Sequence, residues 1–157
     1  MAWSTSYVCA PTLVAALTGG NTLNLGTSNS TLKIALFDNT VTPNPDTSPQ
    51  KYGVAPWNTG ECYGTNWPAG GVPVSLSGAG LTEQAGGLMR FTIDPVSVAN
   101  TTISDAYFGA IIYDTSQEDE VVCAIWFGGD SYSTAASAAG FTPPAAGVFT
   151  LACVPGA

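Results

Sequence analysis

The chain carries very little charge. Three cations, Lys33, Lys51 and Arg90, and eleven acids are the only ionised side chains in 157 residues, and there is no histidine. Each shortage excludes a class of function. A nucleic-acid backbone is held by clustered cations that displace its condensed counterions; three scattered cations at a net charge of −8 cannot do this, so no nucleic-acid partner is expected. Contact with an anionic membrane surface is excluded on the same count, so no membrane partner is expected either. Without histidine there is no Ser-His-Asp or Cys-His arrangement. The four cysteines, Cys9, Cys62, Cys123 and Cys153, show no CxxC spacing, so no zinc ligand set forms from close pairs. No run approaches the ~20 apolar residues of a membrane helix. Residues 1–10 lack a basic segment and residues 13–17 are too short for a signal core. The expectation is a chain made in the cytosol and used as translated. The strong helix formers Glu, Lys, Gln and Arg are also scarce.

What is present is apolar and turn-rich. Hydrophobic residues make up 45% of the chain, with 18 Gly and 11 Pro among many Thr, Ser and Val. With so few ions, the exterior must be covered by hydroxyls, amides, glycine and apolar groups, a surface suited to burial against other subunits. The length fits one domain and buries enough surface to need no metal or disulfide. Residues 10–17, with Pro11 near the start and Gly19-Gly20 beyond the end, read as a short helix. Its low polarity suggests docking rather than independent stability. Residues 21–26 offer a first strand. Residues 32–37 are the first clear strand, alternating Leu32, Ile34, Leu36 against Lys33, Ala35, Phe37. Further strands are expected at 72–76, 81–84, 88–93, 105–113, 121–127 and 148–154, with 131–139 as a small-residue linker and Gly70-Gly71 and Gly86-Gly87 as turns.

About eight strands separated by turn signals predict an all-β, single-domain β-sandwich, jelly-roll-like. Residues 1–30 form an N-terminal arm with its helix and possible strand, and residues 31–157 the sandwich.

Residues 38–71 interrupt the strand pattern. They hold five prolines (43, 45, 49, 56, 68) with Tyr52, Trp57, Tyr63 and Trp67 between them. Disordered segments are poor in aromatics, so this is an ordered excursion packed by its own rings, and long ordered loops usually carry function. Tyr52, Trp57, Tyr63 and Trp67 are the expected contact residues, because Trp and Tyr dominate interface hot spots. They also stack on sugars, and Asn58, Asn66 and Glu61 nearby leave that alternative open. Pro11 and Leu13 in the arm complete the candidate interface.

Chemistry has little to work with. Lys33 and Lys51 lie in no Ser-Lys motif. Asp94 and Asp105 flank strands and read as turn residues. The acidic turn Asp114, Glu118, Asp119, Glu120 reads as a solvated hairpin loop, with calcium as the sharper alternative. The cysteines read as small buried hydrophobes, with a Cys9–Cys153 bridge or a bridge from Cys62 as the alternative. No cofactor and no enzymatic activity are expected.

Several segments resemble, in order, those of small virion structural proteins of tailed bacteriophages. Leu32-Lys33-Ile34-Ala35-Leu36-Phe37-Asp38-Asn39, Val41-Thr42-Pro43-Asn44 and Asp46-Thr47 open the likeness. It continues through Tyr52-Gly53-Val54-Ala55-Pro56-Trp57-Asn58, the Gly-Gly-Val-Pro-Val segment at 70–74, residues 91–94, Gly109-Ala110-Ile111-Ile112-Tyr113-Asp114, residues 124–130 and Phe149-Thr150-Leu151. The resemblance implies a β-rich, non-enzymatic virion component, a capsid decoration (cement) protein on the outer surface of a phage head. Its expected partners are the major capsid protein and its own copies, as a homotrimer or other small symmetric oligomer. A tail or fibre component that binds host glycan is the alternative. The N-terminal extension, 1–30, and the four cysteines depart from the family pattern.

Overall fold

Residues 32–37 form a strand as the alternation predicts, and they organise the molecule. The computed structural model describes residues 3–26, 31–48, 50–76 and 80–152. Among these, β1 (Tyr7–Val8) precedes the single helix α1 (Ala10–Thr18). Then come β2 (Leu32–Phe37), β3 (Glu61–Cys62), β4 (Val72–Pro73), β5 (Gly80–Gln84), β6 (Leu88–Thr92) and β7 (Val96–Tyr107). The chain continues through β8 (Gly109–Asp114), β9 (Glu120–Trp126), β10 (Tyr132–Phe141) and β11 (Phe149–Ala152). The fold is all-β and sandwich-like. Eight of these strands exceed two residues, matching the expected count, but not all are the expected eight.

The largest sheet has the order β1-β9-β8-β2-β3, with β4 also on β2; β10-β7 and β11-β6-β5 form two smaller sheets, and every pairing is antiparallel. The alternation of β2 sorts the core into two layers. Leu32, Ile34 and Leu36 join Ile112, Val122, Phe91 and Ile103 between the large sheet and the smaller ones. Ala35 and Phe37 face the opposite way, where Trp3, Val41 and Trp57 cover them. The excursion and the N-terminal segment are therefore the outer cover of the central sheet, and β8 is buried along its whole length.

Four local expectations need correction. Residues 21–26 are not a strand. The Asn21 carbonyl oxygen Oδ1 accepts from the Leu23 amide at 3.2 Å and Asn24 Oδ1 from the Gly26 amide at 2.8 Å. These local bonds compete with any ladder. Residues 72–76 contribute only Val72–Pro73 to a sheet. All of the expected linker at 131–139 but Ser131 lies within β10, whose small residues pair with β7 across a ladder with three register shifts. Partner geometry, not β-branched composition, decides that strand. The strand expected at 105–113 is cut at Phe108: residues 105–107 end β7, whose earlier part was hidden in the sequence because Asn100, at φ 54°, breaks the alternation, and residues 109–113 belong to β8.

One glycine is fixed by its surroundings. Gly71, at φ +68°, lies so close to β2 that a Cβ there would sit 1.9 Å from the Ile34 carbonyl oxygen. Gly71→Ala is expected to cost more than about 3 kcal/mol, from left-handed strain plus a clash with backbone that cannot rotate away. Thermal unfolding checks it, with Gly53→Ala, also at positive φ but with open space around it, as the control for backbone strain alone.

Candidate docking surface

The four aromatics expected as outward anchors do different things. Trp57, 1% exposed, packs edge-on against Trp3 and Phe37 at 5.4 and 5.2 Å between ring centroids. Its indole Nε1 donates to Gln50 Oε1 at 3.0 Å. Trp67 is equally buried, in the layer between the sheets, with its Nε1 lacking a hydrogen-bond partner among the described residues. Neither can anchor a partner, because the excursion folds its large rings inward to cover apolar sheet that would otherwise face water. Tyr52 is half-buried. Its ring stacks on Tyr113 at 4.8 Å and its hydroxyl donates to Glu61 Oε2 at 2.7 Å. Burial, then the bond to Glu61, pushes the Tyr52 hydroxyl up to about 12. Glu61 Oε1 also accepts from the Gly70 amide, and the Gly70 carbonyl accepts from the Tyr113 hydroxyl. This network ties the middle and the C-terminal end of the excursion to β8. Of the four, only Tyr63 is exposed, at 56%.

The two arm residues fare differently. Pro11 sits in the first turn of α1, where its missing N–H costs nothing. Leu13 is partly buried and faces a groove beside the helix. The buried Thr12 Oγ1 donates to the Val121 carbonyl at 2.7 Å, fixing α1 to β9. Gly19, in the left-handed region, closes the helix. So anchored, α1 holds an apolar groove open against the β5–β6 hairpin. Its walls include Leu13, Leu17, Leu23, Leu25, Met89 and Leu151, and its volume is about 260 Å³. Leu17, on the rim, is 87% exposed, and Val14, elsewhere on the helix, is 58% exposed. Leu81 also lines the groove and is exposed. The sequence held a signal for this site that strand-seeking passes over: no charged residue precedes Lys33. Leu23 and Leu25 were expected to be strand residues, and Leu17 has no pattern partner to single it out.

The acidic turn disperses its carboxylates. Asp114 is buried; its Oδ1 accepts from the Thr31 hydroxyl at 2.6 Å and from the Ser116 amide and hydroxyl at 2.9 and 2.8 Å. Glu118 pairs with Lys51, which holds its carboxyl below the usual range. Glu120 accepts from Asn21 at 2.6 Å. Among the described residues no three candidate ligands gather to hold a metal ion. Asp94 accepts from the Ser75 hydroxyl at 2.5 Å.

Cys9, Cys62 and Cys123 are buried free thiols. Burial pushes Cys9 up to about 12; burial and then Asp38, Asp105 and Glu61 push Cys62 to about the same value. Neither is an activated nucleophile at neutral pH. The bridges proposed from Cys9 and Cys62 are not formed between described residues, and Cys153 lies outside them. No helix among the described residues is long and apolar enough to cross a membrane. Comparison with protein-family models, with curated proteins and with solved structures finds no match to the chain.

Proposed function

We propose that this chain is a non-catalytic structural subunit of a phage virion, a decoration protein that docks on the major capsid protein of the assembled head through the groove beside α1. One observation carries the reading: a helix without a charged residue, pinned to the sheet, presents Leu17 to solvent at the edge of an aliphatic groove. Exposed contiguous apolar surface on so weakly charged a chain is costly unless a partner covers it. The segments that resemble, in order, those of virion proteins support the choice of that partner. The acidic turn at 114–120 bears several of the chain's few charges, which keep the subunit soluble before it docks. Binding only the assembled shell would stabilise that shell by mass action. The repeated lattice would be met by a small symmetric oligomer such as a homotrimer.

Two measurements test the reading. Densitometry of purified virions should find the chain in hundreds of copies, against a handful for a tail-tip component. In a shell-binding assay, Leu17→Asp should weaken docking by about 2 kcal/mol, the contribution of one well-buried leucine. Thermal stability should hardly change, because Leu17 touches so little of its own fold. Undiminished docking by Leu17→Asp would remove the groove from the interface.

A further inference from the structure

Four aromatic rings converge at a second site that shares no residue with the groove. Tyr107 ends β7, Phe127 follows β9, and Tyr132 and Phe141 are the first and last residues of β10. A straight ten-residue strand spans about 30 Å. Yet the Phe127 ring centroid lies 5.9 Å from that of Tyr132 and 6.1 Å from that of Phe141. The three register shifts along β10 account for this. Bulges bend a strand and raise its twist, so β10 curls until both its ends reach one phenyl ring. Ala136, at φ 52°, sits at one of these irregularities. The result is a cleft of about 370 Å³, walled by the four rings together with Gly140 and Thr142.

The chemistry of the walls narrows the ligand. Tyr107 and Tyr132 stack at 5.9 Å and 27°, Phe127 and Phe141 stack at 6.1 Å and 22°, and Phe127 meets both tyrosines edge-on, so the rings brace one another and leave an outer face of Tyr132 open. Tyr132 is 45% exposed and presents its ring to solvent. Three hydroxyls, those of Tyr107, Tyr132 and Thr142, stand at the walls, and none is engaged by a side-chain hydrogen bond among the described residues. Burial, then the nearby Tyr132, raises the Tyr107 hydroxyl above its ordinary value, keeping it a protonated donor. Among the described residues no charged side chain lines the cleft. Its volume lies at the low end of the ~300–1,000 Å³ usual for small-molecule sites.

We infer that this cleft is a binding site for the pyranose ring of a neutral saccharide. A pyranose has a face of C–H groups that lies flat on an aromatic ring and an edge of hydroxyls that both donate and accept hydrogen bonds. The cleft offers both complements at once. It has no cation for a sialylated, sulfated or phosphorylated sugar, and burial of such a charge without a partner is unfavourable. A Pro-rich peptide also favours aromatic walls, but it needs an extended groove, and this cleft holds one or two rings. The function so added is adhesion of the assembled particle to a glycan, through a site other than the one that holds the subunit in place.

The test is a glycan array probed with the fluorescently labelled full chain, followed by calorimetry on the best binder. The array would carry oligosaccharides ending in glucose, galactose or N-acetylglucosamine, with sialylated and sulfated counterparts. Neutral pyranosides should bind and the anionic versions should not. Tyr132→Ala should lower affinity about tenfold by removing one ring face, and Tyr132→Phe should lose less. Tyr132→Ala should stay folded at a somewhat lower melting temperature, since its ring packs on Tyr107 and Phe127, whereas Tyr132→Phe should keep the parent melting temperature. Leu17→Asp should bind saccharide normally, which separates failure here from failure of the docking reading. The inference is overturned if no neutral glycan binds, if anionic glycans bind better, if Tyr132→Ala binds as well as the parent, or if a proline-rich peptide displaces the sugar at lower concentration.

Discussion

Trp57→Ala is expected to lower the unfolding free energy by about 3–5 kcal/mol, the usual range for truncating a buried tryptophan. For a domain of this size that is a fall in melting temperature of roughly 10–15 °C. Three effects combine. The indole fills space between Trp3 and Phe37, and its loss opens a cavity on the outer layer of the core. Gln50, 1% exposed, loses the donor at its Oε1, retaining there only the Tyr7 hydroxyl at 3.3 Å. A buried amide oxygen with a poorer partner costs further free energy. The excursion also loses the side-chain tie that holds it against Phe37 of β2, while the backbone bonds from the Gly53 amide to the Trp57 carbonyl and from the Trp57 amide to the Val54 carbonyl remain. Trp57→Phe, which retains a ring but no N–H, should fall between parent and alanine variant. Differential scanning calorimetry on the three proteins decides the matter. An unchanged melting temperature with weakened partner binding would instead restore Trp57 to the interface role its sequence context suggested.

The error about Trp57 has a physical cause. Aromatic residues among prolines look alike in sequence whether they face a partner or their own sheet, because neither use imposes a period. The face of β2 that carries Ala35 and Phe37 held the missing clue. It is apolar and therefore needed a cover, and no later strand supplied one. Two strands buried on one or both faces were legible, since β2 and β9 follow from alternation and β-branched content, whereas the strand expected at 105–113 was read across the break at Phe108 that divides β7 from β8. Helix α1 was legible too, from Pro11 and Gly19. The ribbon of β7 and β10 was not, because Ser, Thr and Ala carry no strong strand signal and bulges destroy the alternation. Its inner contact is a polar one that no hydrophobic pattern reports: Thr101 Oγ1 donates to Thr134 Oγ1 at 3.0 Å, and the Ile103 amide donates to the same oxygen. The groove was half legible. Leu13 was found from the apolar helix, whereas Leu81, Met89 and Leu151 reach it only through tertiary packing. The aromatic cleft was illegible, since its four rings are brought together by the curl of one strand.

Deleting residues 1–20 is expected to abolish the native fold, contrary to the view of this segment as an arm free to reach a neighbour. Its contacts are to its own domain. Tyr7 and Val8 pair with Ala124 and Cys123, and the Cys9 amide donates to the Val122 carbonyl at 2.9 Å. Trp3 lies in the core, so close to Gly109 that a Cβ on that glycine would meet its ring at 2.7 Å. The deletion therefore removes the edge strand beside β9, the helix anchored on Val121, and the ring that seals Trp57 from water. The buried Val121 and Ala124 would lose cover, and the bared edge of β9 would be an apolar strand with unpaired backbone, a template for aggregation. Loss of Trp3 alone is worth about 3–5 kcal/mol, a large share of the ~5–15 kcal/mol that holds a typical domain together. The truncated chain should show no native near-ultraviolet circular dichroism and should aggregate, while Trp3→Ala in the full chain should fold with a markedly lower melting temperature. A soluble truncated protein with the parent's melting temperature would show that residues 1–20 are an appendage after all, and their apolar helix would then be free to serve a neighbouring subunit.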